Sequence, residues 1–269
     1  MFSTGIDSRR RNISGLWLIL TLVVALVSHF SRLSIVWSRN RLALGLTATV
    51  LRNEPPPTAA WKDYSTNVTK YEIEDPARFL RWQGIWYVAT GQSLKAEEVF
   101  RDDLARFPDD GVVKRLLVNL YLQQGKYYRS MHQSQTALHY FQSAYNLWHN
   151  PDAAAWAGYV SQELGNYEEA VQYLTEAIRM RSYYSNYYYW RATAYRSMRQ
   201  MDKAFSDYQS AIERSGWSQE HEAEIRLALG SLYCELEYPV LAEQEFSRVR
   251  ALVPGVSTPA NCLNFRRRP

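Results

Sequence analysis

The chain has 269 residues, of which 46% are apolar and 22% are charged. This composition excludes a disordered or low-complexity chain, and a mean hydropathy of −0.40 excludes a polytopic membrane protein. Two cysteines exclude a disulfide-dense secreted scaffold and a multi-cysteine zinc module. Twenty Tyr and nine Trp, against only 12 Gly and 10 Pro, favour helices packed through aromatic side chains.

The net charge of +4 is unevenly distributed along the chain. Residues 1–52 contain seven Arg and one Asp, whereas residues 53–269 contain 24 basic and 26 acidic side chains. A nucleic-acid-binding domain needs positive charge on its folded body. The distribution therefore excludes nucleic acid as a partner.

An 18-residue apolar run, Ile13–Phe30, follows a basic N-terminal tail at residues 1–12. Eighteen helical residues span about 27 Å, close to the thickness of the hydrocarbon core. Trp17 and Trp37 would then lie near the two membrane interfaces. The sequence predicts a single transmembrane helix at residues 13–37, with the lipid bilayer as its partner.

A cleaved secretory signal and a buried helix of a globular domain are the alternatives. The end of the run, Ala25–Phe30, does not place small residues at both the −3 and −1 positions that a cleavage site needs, and a buried helix would not need flanking arginines. Arginines flank the run on both sides, so the orientation rests on the shortness of the segment before it. That segment favours a single-pass protein whose main body lies on the extracytoplasmic side.

Residues 38–76 are interpreted as a juxtamembrane helix followed by a proline-rich spacer. The second apolar stretch, Leu42–Leu51, is too short to span a bilayer. Pro55–Pro57 stops any helix, because proline lacks the backbone donor and restricts the preceding residue. We therefore expect residues 53–76 to hold the body off the membrane.

A pattern of small and large residues recurs through the remaining sequence. Five alanines lie in similar surroundings: Ala96, Ala137, Ala170, Ala204 and Ala242. A large apolar residue follows each by four positions: Phe100, Phe141, Leu174, Tyr208 and Phe246. A small residue precedes four of them by twelve positions: Gly84, Gly158, Ala192 and Gly230. In the second unit the pattern assigns Val118 to that place, and it assigns Gly125 to a turn between helices.

This pattern resembles the tetratricopeptide repeat (TPR), and the resemblance covers residues 77–256. It divides that range into units 77–110, 111–150, 151–184, 185–218 and 223–256, followed by a basic tail at 257–269. The fold implied is an all-α, right-handed α-solenoid of about five TPR helix pairs, each with a helix A and a helix B. The second unit is assigned an insertion of about seven residues, Tyr128–Gln135, in its inter-helix turn.

No motif of an enzyme is found. None of the five histidines has a metal-ligand spacing, and no glycine-rich phosphate loop or nucleophile elbow is present. The sequence predicts a non-enzymatic protein without a metal, a cofactor or a small-molecule substrate. Cys234 and Cys262 either pair in an oxidising compartment or remain free thiols.

In TPR proteins the A helices line a concave groove, and the resemblance implies that a protein or peptide partner binds there. The groove residues that it selects are Arg78, Arg81, Arg115, Asn119, Tyr159, Gln162, Asn186, Tyr189, Arg196 and Glu235. Such a groove is basic at its start, aromatic in its middle and acidic at its end, which suits an extended peptide bound in one polarity. In the tyrosine cluster, Tyr184 and Tyr188 are expected to pack between repeats, and Tyr187 and Tyr189 to contact a ligand.

Two functions follow from these features. The first is a membrane-tethered interaction module or scaffold that binds its partner in the groove. The second is a constitutive structural or assembly subunit of a larger membrane complex, which the span and the solenoid both contact.

Overall fold

The computed structural model describes residues 29–30, 32–46, 57–71, 76–216, 218–259 and 262. Over these ranges the regular secondary structure is helical and contains no strand. Most of the predicted span, residues 13–28 and residue 31, lies outside the described residues. Among the helices that are described, none is long and apolar enough to cross a membrane.

Eleven helices with complete bounds follow a helical segment at residues 32–46 in the described part of the chain. They are α1 (Thr58–Tyr71), α2 (Pro76–Ala89), α3 (Ser93–Arg106), α4 (Gly111–Ser130), α5 (Ser134–Leu147), α6 (Pro151–Glu163), α7 (Tyr167–Met180), α8 (Ser185–Ser197), α9 (Met201–Glu213), α10 (Gln219–Glu235) and α11 (Pro239–Leu252). The chain divides into two compact units, Met1–Leu116 (unit 1) and Leu117–Pro269 (unit 2). These compact units are larger than the five repeat units of the sequence pattern, and "unit 1" and "unit 2" refer only to them. Helix α4 begins in unit 1 and continues into unit 2.

In unit 1, segment 32–46 packs against α1 and α2 through one face. Ile35, Leu42 and Leu46 are buried there, at helical spacing, together with Tyr64 of α1 and Trp86 of α2. Gly45 allows the close approach, because a Cβ at this position would overlap the ring of Pro57. Segment 32–46 and the start of α1 are therefore locked together.

The expectation of a spacer across residues 53–76 is wrong for residues 57–71. These residues form α1, whose Trp61 ring stacks 6.0 Å from Phe79 and 5.6 Å from Trp86 between ring centroids. Pro57 precedes the helix and does not interrupt it, since a proline at a helix start loses no helical hydrogen bond. The aromatic side chains give α1 an apolar face, and this face packs against α2.

Helices α2 to α11 form five consecutive hairpins within the described ranges, one in unit 1 and four completed in unit 2. In each, a small residue of the first helix lies against a large residue of the second, 16 positions later. The pairs are Gly84–Phe100, Gly125–Phe141, Gly158–Leu174, Ala192–Tyr208 and Gly230–Phe246. A Cβ on Gly125, Gly158 or Gly230 would come within 2.6, 2.7 or 2.5 Å of its partner. The two helices of a hairpin thus approach more closely than a larger side chain allows.

This contact corrects the register of the second hairpin. Gly125 lies inside α4 and packs on Phe141, so Gly125 occupies the place that the sequence pattern assigned to Val118. The insertion predicted in the inter-helix turn at Tyr128–Gln135 is also wrong, because Tyr128 is helical. The extra residues instead lie at the start of the first helix of this hairpin. This helix, α4, has 20 residues, whereas α6, the first helix of the next hairpin, has 13.

One position that is apolar in the earlier hairpins is charged in the last one. The fifth residue of each second helix in unit 2 is Leu138, Val171, Phe205 or Glu243. Leu138 is buried near Val160 of the next hairpin, and Phe205 lies 5.7 Å from Tyr233, also of the next hairpin, between ring centroids. Glu243 instead pairs with Arg250. At this position the fifth hairpin has no apolar side chain to be covered, although Val240 and Leu241 of α11 are 70% and 40% exposed.

A disulfide joins Cys234 of α10 to Cys262, with a Cα–Cα distance of 4.9 Å. Of the two alternatives left open by the sequence, the structure shows the paired form. Cys262 packs against the buried cluster of Cys234, Ala242 and Phe246. The bond holds the segment after α11 against the last hairpin.

We predict that Gly125→Ala lowers the free energy of unfolding by about 1–3 kcal/mol, because the new Cβ overlaps Phe141. Helix propensity alone would give the opposite sign, since alanine favours a helix over glycine by about 1 kcal/mol. Urea unfolding followed by circular dichroism measures the change. Gln123→Ala, at an exposed site of the same helix, is the control and should be nearly neutral. A stabilised Gly125→Ala variant would contradict the register.

Candidate functional site

Consecutive first helices of the unit 2 hairpins are linked by a line of polar and aromatic side chains. We call this surface the A-helix face and define it by Lys126, Arg129, Trp156, Tyr159, Gln162, Glu163, Trp190, Thr193, Arg196 and Glu235, from α4, α6, α8 and α10. Each of these side chains contacts one from the neighbouring first helix. The face is thus built by contacts between repeats.

Arg129 makes the first link, from α4 to α6. Its guanidinium donates to both carboxylate oxygens of Glu163 at 2.7–3.1 Å and to the hydroxyl of Tyr159 at 2.9 Å. It also lies 4.6 Å from the centroid of the Tyr159 ring. Burial raises the pKa of the Tyr159 hydroxyl, and the positive charge of Arg129 only partly offsets this. Tyr159 therefore remains a neutral phenol that can also donate a hydrogen bond.

Three half-buried aromatic rings form the middle of the face, which we call the aromatic platform: Trp156, Tyr159 and Trp190. Ring centroids lie 5.8 Å apart for Trp156–Tyr159, 4.8 Å for Tyr159–Trp190 and 5.5 Å for Trp156–Trp190. The Lys126 ammonium lies 5.2 Å from the Trp156 ring. Such tilted rings present both apolar area and an electronegative face to a ligand.

Two further links continue along the chain. The Thr193 hydroxyl lies 2.9 Å from the side-chain oxygen of Gln162, which joins α8 to α6. Arg196 forms a bidentate ion pair with Glu235, which joins α8 to α10. Each arginine of the face is thus matched by a carboxylate from the next repeat. The gradient from basic to acidic expected from the sequence is not what unit 2 shows, because these charges are compensated locally.

In the tyrosine cluster, the exposure of Tyr187 and Tyr184 differs from the expectation. Tyr187 is only 3% exposed and donates a hydrogen bond of 2.6 Å to Asp152, so it packs between repeats. Tyr184 is 41% exposed. Tyr188 is buried, as expected. Tyr189 is half-buried beside Tyr208, and burial raises the pKa of its hydroxyl.

The remaining predicted groove residues lie on α2, α4 and α8. In unit 1, Arg78 is exposed on α2, and Arg81 forms an ion pair with Asp110. Arg115 is exposed on the first turns of α4, where it donates to the Gly111 carbonyl at 3.3 Å. Asn119 and Asn186 are exposed on α4 and α8.

Sequence reasoning missed Lys126 and Arg129 because it placed the second hairpin seven residues out of register. With Gly125 in its correct place, Lys126 and Arg129 occupy the groove positions of α4, and Arg115 does not. The signal was present in the sequence. The 16-residue interval from a small to a large residue occurs at Gly125–Phe141 as in the other hairpins.

The chemistry of the A-helix face is that of a binding surface. It offers stacking area, hydrogen-bonding side chains and compensated charges. Among the residues that the structure describes, no group of three or more His, Cys, Asp or Glu side chains could hold a metal ion.

We predict a pH-dependent contribution of Asp110 to stability. Burial raises its pKa, but hydrogen bonds from the backbone of Val113 and Val112 and from Arg81 lower it, and the net pKa lies below the ordinary value of 3.8. A carboxyl with a lowered folded pKa stabilises fully above that ordinary value, and the contribution is lost as pH falls through the folded pKa. Asp110→Asn retains a capping oxygen and loses the charge. Its unfolding midpoint should lie below that of the wild type at about pH 7, and the difference should shrink as pH falls below 3.8 and through the folded pKa, as measured by thermal unfolding over this range. A constant difference would contradict the assignment.

We predict that Arg129 and Glu163 are energetically coupled. Arg129→Glu should destabilise the chain by placing two carboxylates together, and the exchange Arg129→Glu/Glu163→Arg should recover most of the loss. Because both side chains are about one-third exposed, we expect a coupling energy of about 1 kcal/mol from a double-mutant cycle in urea. Additive effects would show that the pair does not form.

Comparison with known proteins supports the repeat architecture. Residues 151–184 and 185–216 match the sequence model of the family described as Tetratricopeptide repeat. These ranges contain the hairpins α6–α7 and α8–α9. No curated protein sequence matches the chain.

Several solved structures have a similar fold. YrrB, described as a TPR protein with an unusual peptide-binding site, has 15% identity over 71% of this chain and 92% of its own, with a TM-score of 0.52. A tetratricopeptide repeat protein from Parabacteroides merdae has 20% identity over 67% and 68%, with a TM-score of 0.51. MamA from Desulfovibrio magneticus has 18% identity over 67% and 96%, with a TM-score of 0.50. The prediction of TPR repeats is confirmed for the two matched ranges, and the fold is an all-helical, TPR-like solenoid.

Proposed function

We propose that the protein is a non-enzymatic scaffold that binds an extended peptide or protein segment on the A-helix face, and that its five hairpins are all TPR units. The observation that supports this proposal is the continuous line of half-exposed aromatic and polar side chains on the first helices of four hairpins. Contacts between repeats hold these side chains in place. Because these contacts fix the side chains before a ligand arrives, binding loses less conformational entropy. The peptide-binding site described for YrrB supports the same use of a similar fold.

The preferred ligand segment is one that stacks and hydrogen-bonds. The arginines of the face are already paired, so a highly charged ligand would have to break those pairs. The aromatic platform suits apolar or aromatic side chains, while Lys126 and Gln162 can form hydrogen bonds with a peptide backbone. We therefore expect binding to depend only weakly on salt.

We also propose that the apolar run at residues 13–30 tethers this scaffold to a membrane, with the repeats on the extracytoplasmic side. Residues 32–37, the end of the span predicted at 13–37, instead belong to the helix that packs on unit 1 through Ile35. The apolar run and its flanking arginines support the tether. The Cys234–Cys262 disulfide supports the orientation, since such bonds persist in oxidising compartments.

A constitutive subunit of a membrane complex is the second candidate. It is favoured by aromatic side chains on the turns between hairpins: Trp148 and Tyr184 are about two-fifths exposed, and Tyr183 is 69% exposed. Arg181 pairs with Asp152 and so ties these turns together. Such an edge would suit a permanent protein contact.

Peptides selected by phage display on the full-length chain in nanodiscs test the scaffold proposal. Fluorescence anisotropy then measures the affinity of a selected peptide for a face variant, Lys126→Ala/Gln162→Ala/Thr193→Ala. We expect at least about tenfold weaker binding, or about 1.4 kcal/mol. The matched control, Gln172→Ala/Ser206→Ala/Gln209→Ala on α7 and α9, should bind within about twofold of the wild type.

Two results would contradict the scaffold. One is equal loss of affinity in the face variant and the control. The other is failure to select any peptide that the face variant binds less well than the wild type.

A further inference from the structure

The disulfide places Cys262 where a following hairpin would present its first helix. Cys234 has in α10 the position that Arg129 has in α4, four residues after the small residue of its hairpin. The Arg129 guanidinium lies 5.7 Å from the ring centroid of Trp156, which belongs to the next first helix and follows Arg129 by 27 positions. Cys234 is bonded to Cys262, which follows it by 28 positions.

A second contact gives the same placement. Phe141 of α5 stacks on Trp156 of the next hairpin, with 5.7 Å between ring centroids. Phe246 is the counterpart of Phe141 in α11, and Cys262 packs against the buried cluster to which Phe246 belongs. Cys262 thus contacts the fifth hairpin in the way that Trp156 contacts the second. The chain that continues from Cys262 therefore starts beside the side of α11 that a further hairpin would cover.

This side of α11 differs in composition from the same side of the other second helices in unit 2. Val240 is 70% exposed. The equivalent residues of α5, α7 and α9 are polar: Gln135, Glu168 and Asp202. An open groove of about 670 Å³ runs along this side, and it is lined by Pro239, Val240, Glu243, Gln244, Ser247 and Arg248. We call it the α11 groove. Its exposed valine and its acidic residue suit a segment that carries both apolar and basic side chains.

Residues 263–269 follow Cys262 and lie outside the described residues. They contain Leu263 and Phe265, followed by three consecutive arginines, Arg266–Arg268. Seven residues extend over about 23 Å, and the 14 residues of α11 are about 21 Å long. We propose that residues 263–269 lie in the α11 groove and cover Val240, as an end cap of the stack of hairpins.

Net charge favours this segment as the occupant of the groove. Residues 219–252, which form the fifth hairpin, contain seven glutamates and three arginines, a net charge of −4 with histidine neutral. Residues 263–269 contain three arginines and no acidic residue. Glu243 and Glu245 are already paired with arginines of α11. The attraction therefore comes from the net charge of the whole hairpin and does not require a free carboxylate.

The disulfide favours this segment over a second copy of the chain. Because the bond holds the start of the segment beside α11, the contact is intramolecular, with an effective concentration on the order of millimolar. Two copies that met through the α11 groove would bring together two hairpins of the same net negative charge. The cap also ends the array, since a further first helix would need the same place.

Photo-crosslinking of the full-length chain in a mild detergent tests the proposal. The photoreactive residue p-benzoylphenylalanine replaces Phe265, and mass spectrometry after reduction of the disulfide identifies the crosslinked residues. The same residue in place of Tyr183, which is 69% exposed between α7 and α8, is the control. We expect crosslinks within one chain to residues 239–248, at least about tenfold more abundant from position 265 than from position 183.

Three results would overturn the end cap. Crosslinks between two chains would assign the α11 groove to a second copy. Crosslinks to the A-helix face would place the segment on the proposed binding surface. Crosslinks to residues 239–248 no more abundant than from position 183 would show that the segment does not lie in the groove.

Hydrogen exchange gives a second readout. The variant Leu263→Ser/Phe265→Ser keeps the disulfide and removes the apolar side chains of the cap. We expect the backbone amides of residues 243–248 to exchange at least about threefold faster than in the wild type, because the groove is uncovered more often. Asn264→Ala, within the same segment, is the matched control and should exchange at the wild-type rate. Equal rates in the two variants would contradict the proposal.

Discussion

The close contact between a small residue on one helix and a large residue 16 positions later is the constraint on which the repeats depend. Where Gly125 faces Phe141, or Gly230 faces Phe246, the two helices approach until a single Cβ would overlap the ring. This sets the separation and register within each hairpin. Since each hairpin leaves an apolar face, as at Leu138 and Phe205, the next one is needed to cover it.

The stacking places first helices side by side, and the A-helix face results from that arrangement. Arg129 meets Glu163, and Arg196 meets Glu235, because equivalent positions of neighbouring repeats lie next to each other. The pairs hold the aromatic platform in place and remove most of the local net charge. A surface organised in this way offers apolar area and hydrogen-bonding groups more than net charge, which is the basis of the proposed scaffold function.

The N-terminal part of unit 1 packs through contacts that differ from those of the repeats. Segment 32–46 has one apolar face on Tyr64 and Trp86 and another at Leu33 and Leu44. Globular packing needs only one such face. The packed face joins segment 32–46 to the start of α1 where the sequence had predicted a spacer.

The sequence by itself determined the helical class, the repeats and four of the ten residues that define the A-helix face, because the spacing of small and large residues is local. Tyr159, Gln162, Arg196 and Glu235 were selected by carrying the groove positions of the TPR family, which the chain resembles, onto that spacing. The pattern was misassigned in the second hairpin, where Val118 was chosen although Gly125 precedes Phe141 by the same 16 positions as in the other hairpins. The close contact of Gly125 with Phe141 shows the correct register, and with it the position of Arg129. Tertiary structure also decided the burial of Tyr187, the packing of α1 and the pairing of arginines with carboxylates. These features depend on which side chains contact each other across repeats. Such contacts are set by distances in three dimensions, which the spacing of residues along the sequence does not give.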